Sequence, residues 1–150
     1  MAAEEWNMPN QRDAEQRHRV LVVDDHPTNR KLMQAIVEEM GWRCTAAESG
    51  AEALTACRGG DVFDLILMDY RMPGMDGCET TKAIRALGGW AALIPVIGFT
   101  AEDSQAARAK CLAAGMLVCI GKPFQPLAIS ALMRRALEPG QPESPLRAAG

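Results

Sequence analysis

Five short apolar runs, each four to seven residues long, alternate along the chain with segments of helix length and helix spacing. The runs are "RVLVVD" (19–24), "CTAA" (44–47), "DLILMD" (64–69), "IPVIGFT" (94–100) and "MLVCI" (116–120), and they are the expected strands. "CTAA" is the weakest, being short and rich in alanine. Between them stand "PTNRKLMQAIVEEMG", "GAEALTACRGG", "DGCETTKAIRALGG" and "AEDSQAARAKCLAAG", with "QPLAISALMRRALE" after the last. In the first of these Leu32, Ile36, Val37 and Met40 recur at helical spacing. Pro27 suits a first helical turn, where its missing N–H costs nothing. Gly41, Gly59, Gly88 and Gly115 stand where helices should stop. Continuously apolar strands alternating with helices imply a parallel sheet covered on both faces. Five βα units make an open, doubly wound α/β sandwich with right-handed crossovers, and are too few for an eight-fold barrel.

The alternation occupies residues 19–137, the expected folded unit. Residues 1–18 show no trustworthy periodicity, and 138–150, "EPGQPESPLRAAG", hold three prolines and two glycines, so both ends read as flexible segments or linkers. With 48% hydrophobic and 23% charged residues and a formal net charge of −3, the chain offers no basic excess for nucleic acid. The start, "MAAEEWNMPNQRDAEQRH", is too polar for a secretory signal. No apolar run approaches the roughly 20 residues that cross a bilayer, so no membrane contact is expected of this segment. Cys44, Cys57, Cys78, Cys111 and Cys119 lack any C-x-x-C pair and fit reduced thiols in a cytoplasmic protein. With only His18 and His26, a histidine-rich zinc site is not expected.

In an open parallel sheet, ligands bind outside the carboxyl ends of the strands. Here those ends read Asp24-Asp25 after the first run, Asp69 after the third, Thr100 after the fourth and Lys122-Pro123 after the fifth. Each alone has an ordinary explanation: helix capping for the acid pair, turn opening for Asp69, a structural threonine, a solvated lysine. Together they put three carboxylates, a hydroxyl and an ammonium at one edge. Three close acids need a compensating charge. A hard divalent cation meets that need, and Mg²⁺ uses one or two carboxylates, waters and a phosphate oxygen. With Lys122 pairing an anion and Thr100 donating to it, the set suits placement of a phosphoryl group on a carboxylate.

"VLVVDDHPTNRKL", "LILMDYRMPGMDG", "GFTA" and "GKPF" resemble, in order and spacing, the receiver domain of two-component response regulators, across nearly all of 19–137. The resemblance implies a flavodoxin-like (βα)5 fold with strand order 2-1-3-4-5. It matches Asp69 to the phospho-acceptor, Asp25 to a direct ligand of Mg²⁺ (or Mn²⁺), and Asp24 to the neighbouring acid that holds the metal through water. Arg71 falls where the family's backbone carbonyl ligates the metal, and Thr100 and Lys122 match the switch hydroxyl and the phosphate-pairing lysine. Ala101 is small, as phosphate access requires. On this reading "MPGMDG" leads the chain away from the acceptor, with Gly74 and Gly77 giving backbone freedom.

Where many receivers carry an aromatic three residues before the lysine, this chain has Cys119, which puts the aromatic switch in doubt and leaves Thr100 and loop shifts. "GFTA", "CLAAGM" and "HPTNR" look like receivers of unorthodox hybrid sensor histidine kinases of the virulence-sensor type. That implies a module passing phosphate from a kinase histidine to a histidine phosphotransfer domain. Rivals are a stand-alone response regulator, a pseudo-receiver that is never phosphorylated, and a haloacid-dehalogenase-like phosphatase. The last would need a second acid where Arg71 stands. The Arg71 side chain is expected either to tune phosphate lifetime or to face solvent, and His26 to be an exposed loop residue. Partners are expected on the first helix (27–40) or on the last helix–strand–helix face (102–137).

Overall fold

The computed structural model describes residues 18–102 and 104–138. Five parallel strands, β1 (Arg19–Val23), β2 (Arg43–Ala47), β3 (Leu65–Asp69), β4 (Val96–Thr100) and β5 (Val118–Gly121), form one sheet in the order β2-β1-β3-β4-β5. The helices are α1 (Pro27–Glu39), α2 (Gly50–Arg58), α3 (Gly77–Arg85), α4 (Gln105–Ala113) and α5 (Pro126–Leu137), with a 3₁₀ turn at Gly89–Ala92. All five expected runs are strands, in the order expected.

Alternation along the strands divides the core in two. Val20, Val22, Leu65, Leu67, Ile97 and Phe99 pack with α1 and α5 through Met33, Val37, Ile129 and Met133. Leu21, Val23, Ile66, Met68 and Val96 pack with α2, α3 and α4 through Leu54, Ile84 and Cys111. The central strands β1, β3 and β4 are apolar without interruption because both faces are covered. β2, at the sheet's edge, is mostly exposed, which accounts for its weak "CTAA" signal.

Four expectations are corrected in detail. The α1 core stripe is Met33, Ile36, Val37 with half-buried Met40, and Leu32 is 43% exposed: the face is turned by one residue. β4 starts at Val96, not Ile94, because Pro95 has no N–H for the ladder, though its carbonyl accepts from Ile66 N–H at 3.1 Å. β5 starts at Val118 because Met116 N–H still bonds the Cys111 carbonyl at the exit of α4. After α2 the left-handed position is Gly60 (φ 98°) rather than Gly59, whereas Gly41, Gly88 and Gly115 have the positive φ of helix stops.

The expected flexible ends fall outside the described residues except for His18 and Glu138. These two meet, His18 Nε2 lying 3.3 Å from a Glu138 carboxylate oxygen, so the chain enters β1 beside the end of α5.

Candidate functional site

Asp24 directly follows β1 and continues its ladder, its N–H bonding the Ala47 carbonyl at 3.1 Å. The side chain is fully buried. Oδ1 accepts from the His26 N–H at 2.8 Å, and Arg30 donates to the Asp24 carbonyl at 2.9 Å. The helix cap proper is His26, with no side-chain capping bond, so the acid pair does not cap α1. Asp24 Oδ2 is buried with no hydrogen-bond partner, and its nearest compensation is Lys122 Nζ at 3.7 Å.

Asp69 ends β3 at 5% exposure, and its hydrogen bond does not go to the following turn. Lys122 Nζ donates to Asp69 Oδ1 at 2.9 Å, and the Lys122 N–H is anchored on the Thr100 carbonyl at 2.8 Å. Burial lifts the Asp69 carboxyl from 3.8 to about 6. The Lys122 hydrogen bond and charge oppose the rise, and the Asp24 and Asp25 charges add to it. Ligand oxygens of Asp24, half-buried Asp25 and Asp69 all lie within 4.8 Å of one another. Among the described residues this is the one group of three or more acids, histidines or cysteines so gathered.

The donor set fits a hard divalent cation: three carboxylates, one with an orphaned buried oxygen, and no soft ligand. His26 is exposed and outside the cluster, as expected.

Thr100, at the end of β4, is 1% exposed, but its hydroxyl turns into the following loop. It accepts from the Glu102 N–H at 2.9 Å and donates to the Glu102 carbonyl at 3.3 Å. Arg71 is 73% exposed, and its guanidinium pairs with the Glu102 carboxylate at 3.0 Å and lies 5.9 Å from the Tyr70 ring. Glu102 therefore links the loop after β3 to the loop after β4 while holding the threonine. Sequence reading did not single it out, and could not: its partner is 31 positions away in another loop. Cys119 is buried at 7%, as a core strand residue should be.

Gly74 has the positive φ (79°) that its turn demands. Gly77 serves by its size instead: a Cβ there would overlap the Asp69 carbonyl oxygen, so glycine lets α3 start against the end of β3.

The family model for the response regulator receiver domain matches residues 20–134. The chain belongs to the response regulator receiver family. It is 40% identical over 104 residues to the sensor histidine kinase RcsC of Escherichia coli (strain K12), covering 69% of this chain and 10% of that protein. It is 38% identical over 124 residues to the virulence sensor protein BvgS of Bordetella pertussis, covering 80% of this chain and 10% of that one. The receiver thus spans about a tenth of the length of these curated relatives. Among solved structures, the receiver domain of sensor histidine kinase PA1611 from Pseudomonas aeruginosa, with a magnesium ion in its active-site cleft, superposes with a TM-score of 0.73 at 32% identity, covering 80% of this chain and 97% of that one. The expected fold and the likeness to hybrid-kinase receivers both hold, and an acidic Mg²⁺ site is a property of the family that this cluster fits. Among the described residues, no helix is long and apolar enough to cross a membrane.

Proposed function

We propose that residues 19–137 form a phospho-accepting module in which Asp69 takes a phosphoryl group from a phosphohistidine and passes it to a histidine phosphotransfer domain, as part of a hybrid sensor kinase. The observation that carries this is the Asp24–Asp25–Asp69 cluster within 4.8 Å, with Lys122 at 2.9 Å from Asp69. Asp24, Asp25, Asp69 and the Arg71 backbone carbonyl would hold Mg²⁺ (or Mn²⁺). Bound there, the ion would neutralise the acids and the charge developing on the phosphoryl oxygens.

The free Asp69 carboxylate oxygen attacks phosphorus and the N–P bond of the donor breaks, its electron pair going to the ring. A donor ring that carries a proton on its other nitrogen leaves as neutral imidazole. Lys122 releases Asp69 Oδ1 and pairs with a phosphoryl oxygen, its position held by the bond from its N–H to Thr100. Thr100 exchanges the Glu102 peptide for the phosphoryl group, and Ala101 leaves room for it. With Cys119 in place of an aromatic, this exchange and the accompanying loop shift are the signal. The kinase and the phosphotransfer domain dock on α1 or on the α4–β5–α5 face, at the cytoplasmic side of the parent protein.

Incubation with Mg²⁺ and phosphoramidate, followed by intact mass, tests the acceptor. One phosphoryl group should be added, and none in Asp69→Asn or with EDTA. No addition to the wild type makes the domain a pseudo-receiver. Adding a histidine phosphotransfer domain to the phosphorylated protein tests the relay. Phosphate that is lost only to water favours a stand-alone response regulator.

A further inference from the structure

Three cysteines that the sequence scatters meet in the core beneath α3 and α4. Cys78 lies in the first turn of α3, Cys111 near the end of α4 and Cys119 on β5. The Cys78 and Cys111 sulfurs are 3.9 Å apart, although 33 positions separate them in the chain. Cys119 lies in the same core cluster. Gly98 on β4 makes the room: a Cβ there would sit 3.5 Å from Cys119 Sγ and collide with the Met116 sulfur.

Burial explains each cysteine singly as a small apolar residue. It does not explain two thiols from different helices placed sulfur to sulfur, where any aliphatic side chain would pack. A disulfide requires about 2.05 Å between sulfurs, so this pair must close by about 1.9 Å to bond. An open groove of about 570 Å³ is lined by chain neighbours of the pair, Asp76 and Glu79 on one side and Lys110 on the other, and by neither cysteine itself. Cys78, at 5% exposure, is the more accessible partner, and Cys111 is wholly buried.

We propose that Cys78 and Cys111 are a redox modification site, closed to a disulfide by a peroxide, that staples α3 to α4. Peroxide oxidises the Cys78 thiol to a sulfenic acid with release of one water. The Cys111 sulfur then displaces the sulfenic oxygen, forming the S–S bond and releasing a second water. Two thiols and one peroxide thus give one disulfide and two waters. Burial pushes both thiols above their ordinary range, which keeps the pair unreactive at rest and makes the response one to strong or sustained oxidant. α3 begins where the Arg71 loop ends and α4 where the Glu102 loop ends, so the staple restrains both loops beside the acid cluster. The site stands whichever carboxylate accepts the phosphoryl group.

The full chain is treated with hydrogen peroxide, its remaining thiols are alkylated after unfolding, and intact mass and peptide maps are recorded. The expected product has lost two hydrogens, carries a Cys78–Cys111 link that dithiothreitol reverses, and melts several degrees higher, because a cross-link over 33 positions restricts the unfolded chain. Cys119→Ser retains the link, whereas Cys78→Ser and Cys111→Ala lose it. Five alkylatable thiols after treatment, a link through Cys119, or oxidation to sulfinic acid without cross-linking would each overturn the proposal. A fall in melting temperature on cross-linking would do the same.

Discussion

Asp69→Asn changes how the stability of the metal-free domain responds to pH, and the size of the change comes from the burial of one carboxyl. The Asp69 acid titrates at about 6 in the folded protein against 3.8 ordinarily, desolvation outweighing the Lys122 hydrogen bond. An acid whose folded value is raised binds its proton more tightly in the native state. Its contribution is complete below pH 3.8 and is lost as pH climbs to about 6, where the native carboxylate must ionise. At about 1.4 kcal/mol per tenfold in the acid constant, the loss comes to about 3 kcal/mol. Urea unfolding in EDTA at intervals from pH 4 to 7 would measure it for wild type and Asp69→Asn together, so that carboxylates common to both cancel. The stability difference should shift by about 2 kcal/mol in favour of the variant across that range, since at pH 4 the unfolded acid is already more than half ionised, with most of the shift complete by pH 6. Saturating Mg²⁺ at pH 7 should stabilise the wild type more than the variant. Parallel pH profiles in EDTA would refute the reasoning, because they would mean that Lys122 fully offsets the burial of Asp69.

Gly77→Ala should cost about 3 kcal/mol by urea unfolding, the upper end for overpacking, because the new methyl meets the Asp69 carbonyl and comes within 3.0 Å of Tyr70 Cα. An unchanged urea midpoint would mean that the start of α3 yields freely. Arg71→Ala should leave stability within about 0.5 kcal/mol, its pair with Glu102 being exposed, while altering the lifetime of phosphorylated Asp69. Dephosphorylation at the wild-type rate, followed by intact mass, would leave the arginine only a solvent-facing role. Met33→Ala should cost about 3 kcal/mol and Leu32→Ala within about 0.5 kcal/mol, since Met33 is fully buried and Leu32 is 43% exposed. Comparable losses in thermal or urea unfolding would put the apolar face of α1 on the stripe through Leu32 that helical spacing alone suggests.

The parallel sheet and its acid edge were readable because both rest on short-range rules. An uninterrupted apolar run such as residues 65–68, too short for a helix and alternating with helical segments, reads as a strand covered on both faces, and the residues just past such strands gather at one edge of the sheet. Asp24, Asp25, Asp69 and Lys122 needed nothing more than position to come together. The features that escaped depend on rotation about single bonds or on pairings across loops. The Leu32/Met33 choice is one step of helical phase, which two adjacent apolar residues leave undecided. The Glu102 role needs Arg71 from another loop, and the meeting of Cys78 and Cys111 needs α3 and α4 side by side.

Thr100 brings the two kinds of information together. Its place at the end of β4 is set by the run of residues before it, yet its hydroxyl is engaged by the Glu102 peptide. To donate to a phosphoryl oxygen, as proposed for Thr100, a hydroxyl so held must give up only its bond to the Glu102 carbonyl, of order 1 kcal/mol net, and can go on accepting from the Glu102 N–H. A charge-assisted bond to that oxygen is worth roughly twice a neutral one, so the exchange would favour the phosphoryl group by about 1 kcal/mol. On the proposed role, a preference this small lets a single phosphoryl group draw the hydroxyl off the Glu102 carbonyl, and loss of the group lets it return.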